Sequence, residues 1–170
     1  AYQKLNKHDQ AEKAYVEAGR LKPDHPQTWA NLGVVRQGLG NPKGAREAYE
    51  MALRLKTDAP EVLSNLAGLL EEQGQTADAE ELYTRLLQKN PDWEDAWFRL
   101  AYLKLTRGDA QGAIQGFERC TAKKHDWLEA HINLGLAYKQ ISENERAVTS
   151  FEAALAVKPD SVEALRGIAA

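Results

Sequence analysis

The sequence predicts an all-α fold, an α-solenoid of helix-turn-helix repeats, and three observations carry that prediction. A stretch beginning Trp29-Ala-Asn-Leu-Gly33 returns every 34 residues, at Leu63–Ala67, Trp97–Ala101, His131–Gly135 and Leu165–Ala169, with nothing inserted or lost between copies. In register with it an alanine recurs at Ala11, Ala45, Ala79, Ala113 and Ala147, followed four residues later by an aromatic ring at Tyr15, Tyr49, Tyr83, Phe117 and Phe151. Three residues further on stands Ala18, Ala52, Leu86, Cys120 or Ala154, and Pro23, Pro91 and Pro159 close three of the units. Spacings of three and four residues put these side chains on one helix face.

The elements follow in order. Residues 1–5 read as the tail of one helix and 9–21 as its partner, with Ala11, Ala14, Tyr15, Ala18 and Leu21 on one face. The first full repeat is 26–59, with helices near 27–39 and 43–55. Its turn is Gly40-Asn41-Pro42, where glycine ends one helix, asparagine caps the next and proline suits its first position. The second is 60–93, with helices near 61–73 and 77–89 about Gly74. The third is 94–127, with helices near 95–107 and 111–123 about Gly108-Asp109. The fourth is 128–161, with helices near 129–141 and 145–157 and Ser142 in place of the turn glycine. Residues 1–25 and 162–170 are partial repeats of the same array.

This pattern resembles the tetratricopeptide repeat (TPR) family, whose signature runs W-x2-L-G-x2-Y, then A-x3-F, then P. The match covers essentially the whole chain. Departures are local. Thr57 and His125 stand where proline is usual, Arg36 and Lys104 where the first helix carries an aromatic, and Leu86 and Cys120 where a small residue is expected. The resemblance implies a right-handed superhelix, with first helices lining the concave wall and second helices the convex one. One helix pair cannot bury its apolar face alone, so stacking on neighbours supplies the stability. Small residues at Gly33, Ala67, Ala101, Gly135 and Ala169 let the paired helix approach.

Composition narrows the function. A net charge of −3 and a pI near 5.9 give no basic footprint for nucleic acid. No run of apolar residues is long enough to span a membrane as a helix. Cys120 is the single cysteine, so no intramolecular disulfide forms, and its place at a small-residue position makes it packing rather than chemistry. The lone thiol favours the cytoplasm, with the bacterial periplasm the other compartment that uses such arrays. The chain begins at Ala1 inside a repeat and stops inside a helix, which predicts a piece of a longer protein.

No catalytic constellation is present: neither HExxH, nor a phosphate-binding loop, nor GxGxxG after a strand, nor GxSxG. The chain is therefore expected not to be an enzyme, and neither cofactor nor metal is expected. His131 takes the slot of Trp29 and Trp97 and reads as a packing substitute. The pairs Glu71-Glu72 and Glu80-Glu81 read as solvated faces, and Lys123-Lys124 as cations at a helix C-terminus.

What remains is a surface. The resemblance implies that positions 2, 5, 6, 9, 12 and 13 of each unit build the concave wall. Position 6 supplies Asn31, Asn65, Arg99 and Asn133. An asparagine amide both donates and accepts, so it can pair with a peptide backbone of any sequence. Such a ladder resembles the inner surface of the O-GlcNAc transferase repeats, although asparagine is also common here in the family. Phe98, Tyr102, Leu105, Ile132 and Leu136, surplus to the seams, are expected to form an apolar patch in the groove of the third and fourth repeats. Trp93 and Trp127 either staple repeat junctions or edge that groove. A clamp for a C-terminal carboxylate finds only Asn65 and Arg99 in place, with Asp95 where a lysine is needed. Glu61, Asp95 and Glu129 at position 2 bias the groove towards neutral or basic ligands.

The expected function is a non-catalytic interaction scaffold that holds a protein or peptide segment in its concave groove. Two alternatives stand beside it. One is the substrate-recruiting arm of a larger enzyme such as a glycosyltransferase. The other is an assembly module that self-associates through its end repeats, where Leu165 and Ile168 are apolar.

Overall fold

The computed structural model describes residues 2–56 and 58–169, with side chains from residue 7 onward. Its described residues form helices and turns and include no strand. The chain divides into two compact units, residues 1–90 and 91–170.

The first unit holds α1 (Tyr2–Leu21), α2 (Pro26–Gly38), α3 (Pro42–Leu55), α4 (Pro60–Glu72) and α5 (Thr76–Lys89). Each packs against the next in chain order. The second holds α6 (Glu94–Thr106), α7 (Ala110–Lys123), α8 (Leu128–Gln140), α9 (Asn144–Val157) and α10 (Val162–Ala169), stacked the same way, with α8 also touching α6 and α10. The fold is an all-α solenoid of repeats.

One predicted break is absent. Residues 1–5 and 9–21 were expected to be separate helices, but α1 runs unbroken through them. Asn6-Lys7-His8 stands where the next unit has Gly40-Asn41-Pro42, so neither a glycine nor a proline interrupts the helical hydrogen bonds.

The predicted turns have a physical cause. At Gly40, Gly74 and Gly108 φ is positive, and the amide three residues past the helix end reaches back to a carbonyl of its last turn, as in Asn41 N to Arg36 O at 2.9 Å. The fourth turn makes the same bond, Glu143 N to Tyr138 O at 2.9 Å, with Ser142 forced to φ 65°. Asn41 and Asp109 cap α3 and α7, each side-chain oxygen accepting from the amide of a glycine, Gly44 or Gly112, at 2.9 Å. The capping bond holds the Asp109 carboxyl below its usual range. Pro26, Pro42 and Pro60 open their helices, where no amide hydrogen is needed.

The core of each pair is the aromatic of the second helix against a small residue of the first. Tyr49, Tyr83, Phe117 and Phe151 are all buried, with Ala45, Ala79, Ala113 and Ala147 beside them. A Cβ added at Gly33 would lie 2.4 Å from the Tyr49 ring, and one at Gly135 would lie 2.6 Å from Phe151. The two phenols find polar partners one repeat apart: the Tyr49 hydroxyl donates to Gln37 at 3.0 Å and that of Tyr83 to Glu71 at 3.2 Å. Where the ring is Phe117, the equivalent partner position is the apolar Leu105. A buried hydroxyl needs a partner, and a buried phenyl does not. Glu71 thus serves the packing as well as the solvated face assigned to it from the sequence.

Arg36, standing where an aromatic is usual, ties three helices of the first unit. It donates to Glu12 of α1 at 3.0 Å and to the Gly44 carbonyl of α3 at 3.2 Å. Its side chain and that of Glu12 are both about a quarter exposed, so this ion pair is less screened than the exposed pairs Arg20–Glu17 and Arg146–Glu118. Cys120 is fully buried, its thiol against the Glu94 carbonyl at 3.6 Å. Burial, then the carboxylates of Glu94 and Asp95, push that thiol up to about 12.

Candidate functional site

The first unit contains an open cavity of about 680 Å³ between α2 and α4. Helical spacing puts Gln27, Asn31 and Val34 on one face of α2, and Glu61 and Asn65 on the matching face of α4. All five line the cavity, with Ala30, Val62, Pro26, Ala59 and Lys56 completing it. The fold thus brings Asn31 and Asn65 to one concave surface, as one repeat period predicts. Gln27 Nε2 donates to Asn31 Oδ1 at 3.0 Å, which turns the Asn31 amide nitrogen free to donate elsewhere. The Asn65 side chain has no hydrogen-bond partner among the described residues. Val34 is half exposed at 49% and offers an apolar contact beside the amides.

Lys56 was not singled out from the sequence. It belongs to the connection between α3 and α4, and although lysine recurs at that place at Lys22, Lys56, Lys124 and Lys158, the expected groove was drawn from first-helix positions alone. Gln27 could have been found, since it shares position 2 with Glu61.

The second unit carries Arg99 on α6 and Asn133 on α8. Asn133 is oriented the opposite way from Asn31. Its Nδ2 donates to the Glu129 carbonyl at 2.8 Å, so its Oδ1 faces outward as an acceptor. A carbonyl can only accept, which fixes this orientation of the amide.

The five apolar residues expected in the second unit divide into two sets. Tyr102 and Leu136 are exposed, 42% and 43%, and share position 9 of their repeats. Phe98, Leu105 and Ile132 are partly buried and pack against the core built on Phe117, Leu134, Tyr138 and Phe151. Phe98 stacks on Trp127 with ring centroids 4.8 Å apart and meets Phe117 edge to face at 5.6 Å. These three are therefore not surplus to the packing, and Trp127 joins α6 to α8 through Phe98. The Trp127 ring also carries the Lys124 ammonium 4.9 Å above it.

Among the described residues no group of three or more His, Cys, Asp or Glu side chains could hold a metal ion, and no helix is long and apolar enough to cross a membrane. The raised thiol of Cys120 is protonated at neutral pH and sealed from solvent.

Comparison with known proteins bears on the fold. The family model of the cytochrome c-type biogenesis protein H TPR domain matches residues 20–124, and a tetratricopeptide repeat model matches residues 1–25 and 128–161. No curated protein matches the sequence significantly. Among solved structures, YrrB, described as a TPR protein with an unusual peptide-binding site, is 21% identical with a TM-score of 0.87, covering 99% of this chain and 87% of its own. MamA is 23% identical with a TM-score of 0.83, covering 95% and 88%. A tetratricopeptide repeat protein from Parabacteroides merdae is 23% identical with a TM-score of 0.83, covering 99% and 68%. At these identities the likeness is one of fold.

Proposed function

The chain belongs to the tetratricopeptide repeat family, and from that premise we propose that it is a protein-interaction scaffold that holds a peptide segment along its first helices. The observation that carries the proposal is the cavity between α2 and α4, which has Asn31 and Asn65 in its lining one repeat apart. Two amides set at a repeat interval suit the regular donors and acceptors of a peptide backbone. Val34 provides an apolar contact beside them, and Tyr102 and Leu136 do so on the second unit.

The test is capture of partners by the intact chain. Replacing Asn31 and Asn65 together by Ala should weaken capture about tenfold or more while the circular dichroism spectrum stays unchanged. The magnitude follows from two hydrogen bonds of about 1 kcal/mol each. Undiminished capture by that variant refutes the site.

The family match over residues 20–124 favours a partner drawn from cytochrome c-type biogenesis. Co-precipitation of such proteins with the intact chain tests this second reading. Their absence from the captured set would overturn it without touching the groove.

A further inference from the structure

The faces of α6 and α8 that bear positions 2, 6 and 9 of their repeats carry three rows of unlike chemistry, one acidic, one polar and one apolar. On α6 the sequence of side chains along one face is Asp95, Arg99, Tyr102, and on α8 it is Glu129, Asn133, Leu136. The helical rise sets the acidic row about 6 Å to one side of the middle row and the apolar row about 4.5 Å to the other. Tyr102 and Leu136 are exposed, and so are Asp95 and Glu129, which have no ion-pair partner among the described residues. The middle row is built for a backbone. Asn133 presents its Oδ1 as an acceptor because its Nδ2 is held on the Glu129 carbonyl, and Arg99, already engaged within the protein, has more N–H groups than one partner uses.

We propose that this face takes an extended segment in which apolar side chains alternate with Lys or Arg. Its backbone lies along the middle row, its apolar side chains rest on Tyr102 and Leu136, and its cations face Asp95 and Glu129. Extended backbone fits because it has N–H groups to donate to Asn133, whereas those of a helix interior are already bonded within the helix. Alternation fits because successive side chains of an extended chain point to opposite sides, and the two sides here are apolar and acidic. The cationic character of Arg99 falls on the middle row, where peptide carbonyls lie, and not on the acidic row.

This inference rests on the peptide-holding reading and names the segment's chemistry. The intact chain is titrated by fluorescence anisotropy with three short synthetic peptides, alternating leucine with lysine, with glutamate or with serine. The lysine peptide should bind about tenfold more tightly than the glutamate peptide at low salt, the gap closing as salt is raised. Asp95→Asn with Glu129→Gln should remove that gap and leave the serine peptide within about twofold. Tyr102→Ala with Leu136→Ala should weaken all three. Equal affinity for the lysine and glutamate peptides, or a gap that survives the Asp95 and Glu129 changes, overturns the charge assignment while leaving the groove reading intact. Failure of all three peptides to bind overturns the whole inference, and the groove reading is then judged by the Asn31 and Asn65 variant alone.

Discussion

The His131 ring sits with Nε2 2.9 Å from the His125 carbonyl oxygen, and this contact copies a tryptophan. Trp29 Nε1 donates to the Pro23 carbonyl and Trp97 Nε1 to the Pro91 carbonyl, both at 2.8 Å and both across the same six-residue span. Since the carbonyl can only accept, Nε2 of His131 carries a proton. The substitution read from the sequence as packing thus also keeps the hydrogen bond that joins α2 and α6 to the connections before them. We expect His131→Leu to lower stability by about 1 kcal/mol and His131→Trp to recover the bond and add apolar burial. Thermal midpoints of the two variants check this. A leucine variant as stable as the wild type would show the bond to be without effect. Leu63 occupies the same slot in another unit, so the shape itself tolerates leucine.

Gly33 and Gly135 are held small by the rings that cover them. Gly33→Ala places a methyl group 2.4 Å from the fully buried Tyr49 ring, whose hydroxyl is bonded to Gln37. We expect a loss of about 1–3 kcal/mol from overpacking. Chemical denaturation gives the number. Ala67 stands at the same position in the next repeat, so a neutral result would mean that the pair α2–α3 can relax to the spacing of α4–α5.

Ser142 is the reverse case. It holds φ 65°, where the other three turns have glycine. Side chains other than glycine are strained there, so Ser142→Gly is expected to stabilise the protein by about 1 kcal/mol. A rise of a few degrees in the midpoint is the expected reading, and no rise would show that the turn is unstrained.

Alkali should weaken the fold in a definite window. Burial first, with nearby carboxylates second, pushes Cys120 and Tyr49 up to about 12, and burial with the Glu118 hydrogen bond does the same for Tyr138. Unperturbed thiols titrate near ~8.5 and phenols near ~10. The folded state therefore holds these protons more tightly than the unfolded one. The stability they lend is complete below about pH 8.5 and is lost as pH rises towards about 12. Denaturation midpoints measured from pH 7 to about 11 should fall with rising pH. The native thiol should also resist alkylation at pH 8 until the protein unfolds, and rapid labelling of the native state would contradict the burial.

Phe98 and Tyr102 should behave differently although both were assigned to the groove. Phe98→Ala removes a ring stacked on Trp127 and set against Phe117, and should cost about 2–3 kcal/mol of stability. Tyr102→Ala and Leu136→Ala, at exposed positions, should cost about 0.5 kcal/mol or less. Denaturation of the three single variants separates packing from surface. Of these three, Tyr102 and Leu136 are suited to a binding test that leaves the fold undisturbed, and Phe98 is not.

Much of the molecule was legible before any coordinates. The turn residues at 40, 74, 108 and 142, the cap at Asn41, the helix-opening Pro42 and the buried rings of Tyr49, Tyr83, Phe117 and Phe151 follow from chemistry within one repeat, whereas Pro26 and Pro60 were not read as helix openers. The unbroken α1 was not legible, because the repeat pattern suggested a turn at residues 6–8 that the local sequence does not enforce. Lys56 was missed because the groove was sought on first helices alone, although lysine recurs at its place at Lys22, Lys124 and Lys158.

The sequence by itself determined the repeating helical pair, its register and the residues that seal each seam, because those depend on neighbours within a few turns of chain. Tertiary structure decided which apolar side chains remain for a partner and which way each asparagine points. Phe98 is withdrawn from solvent by Trp127, 29 positions further on, and the Asn31 and Asn133 amides are turned opposite ways by Gln27 and the Glu129 carbonyl. Such choices rest on which atoms meet across or along helices in three dimensions, and a period in the sequence does not encode them.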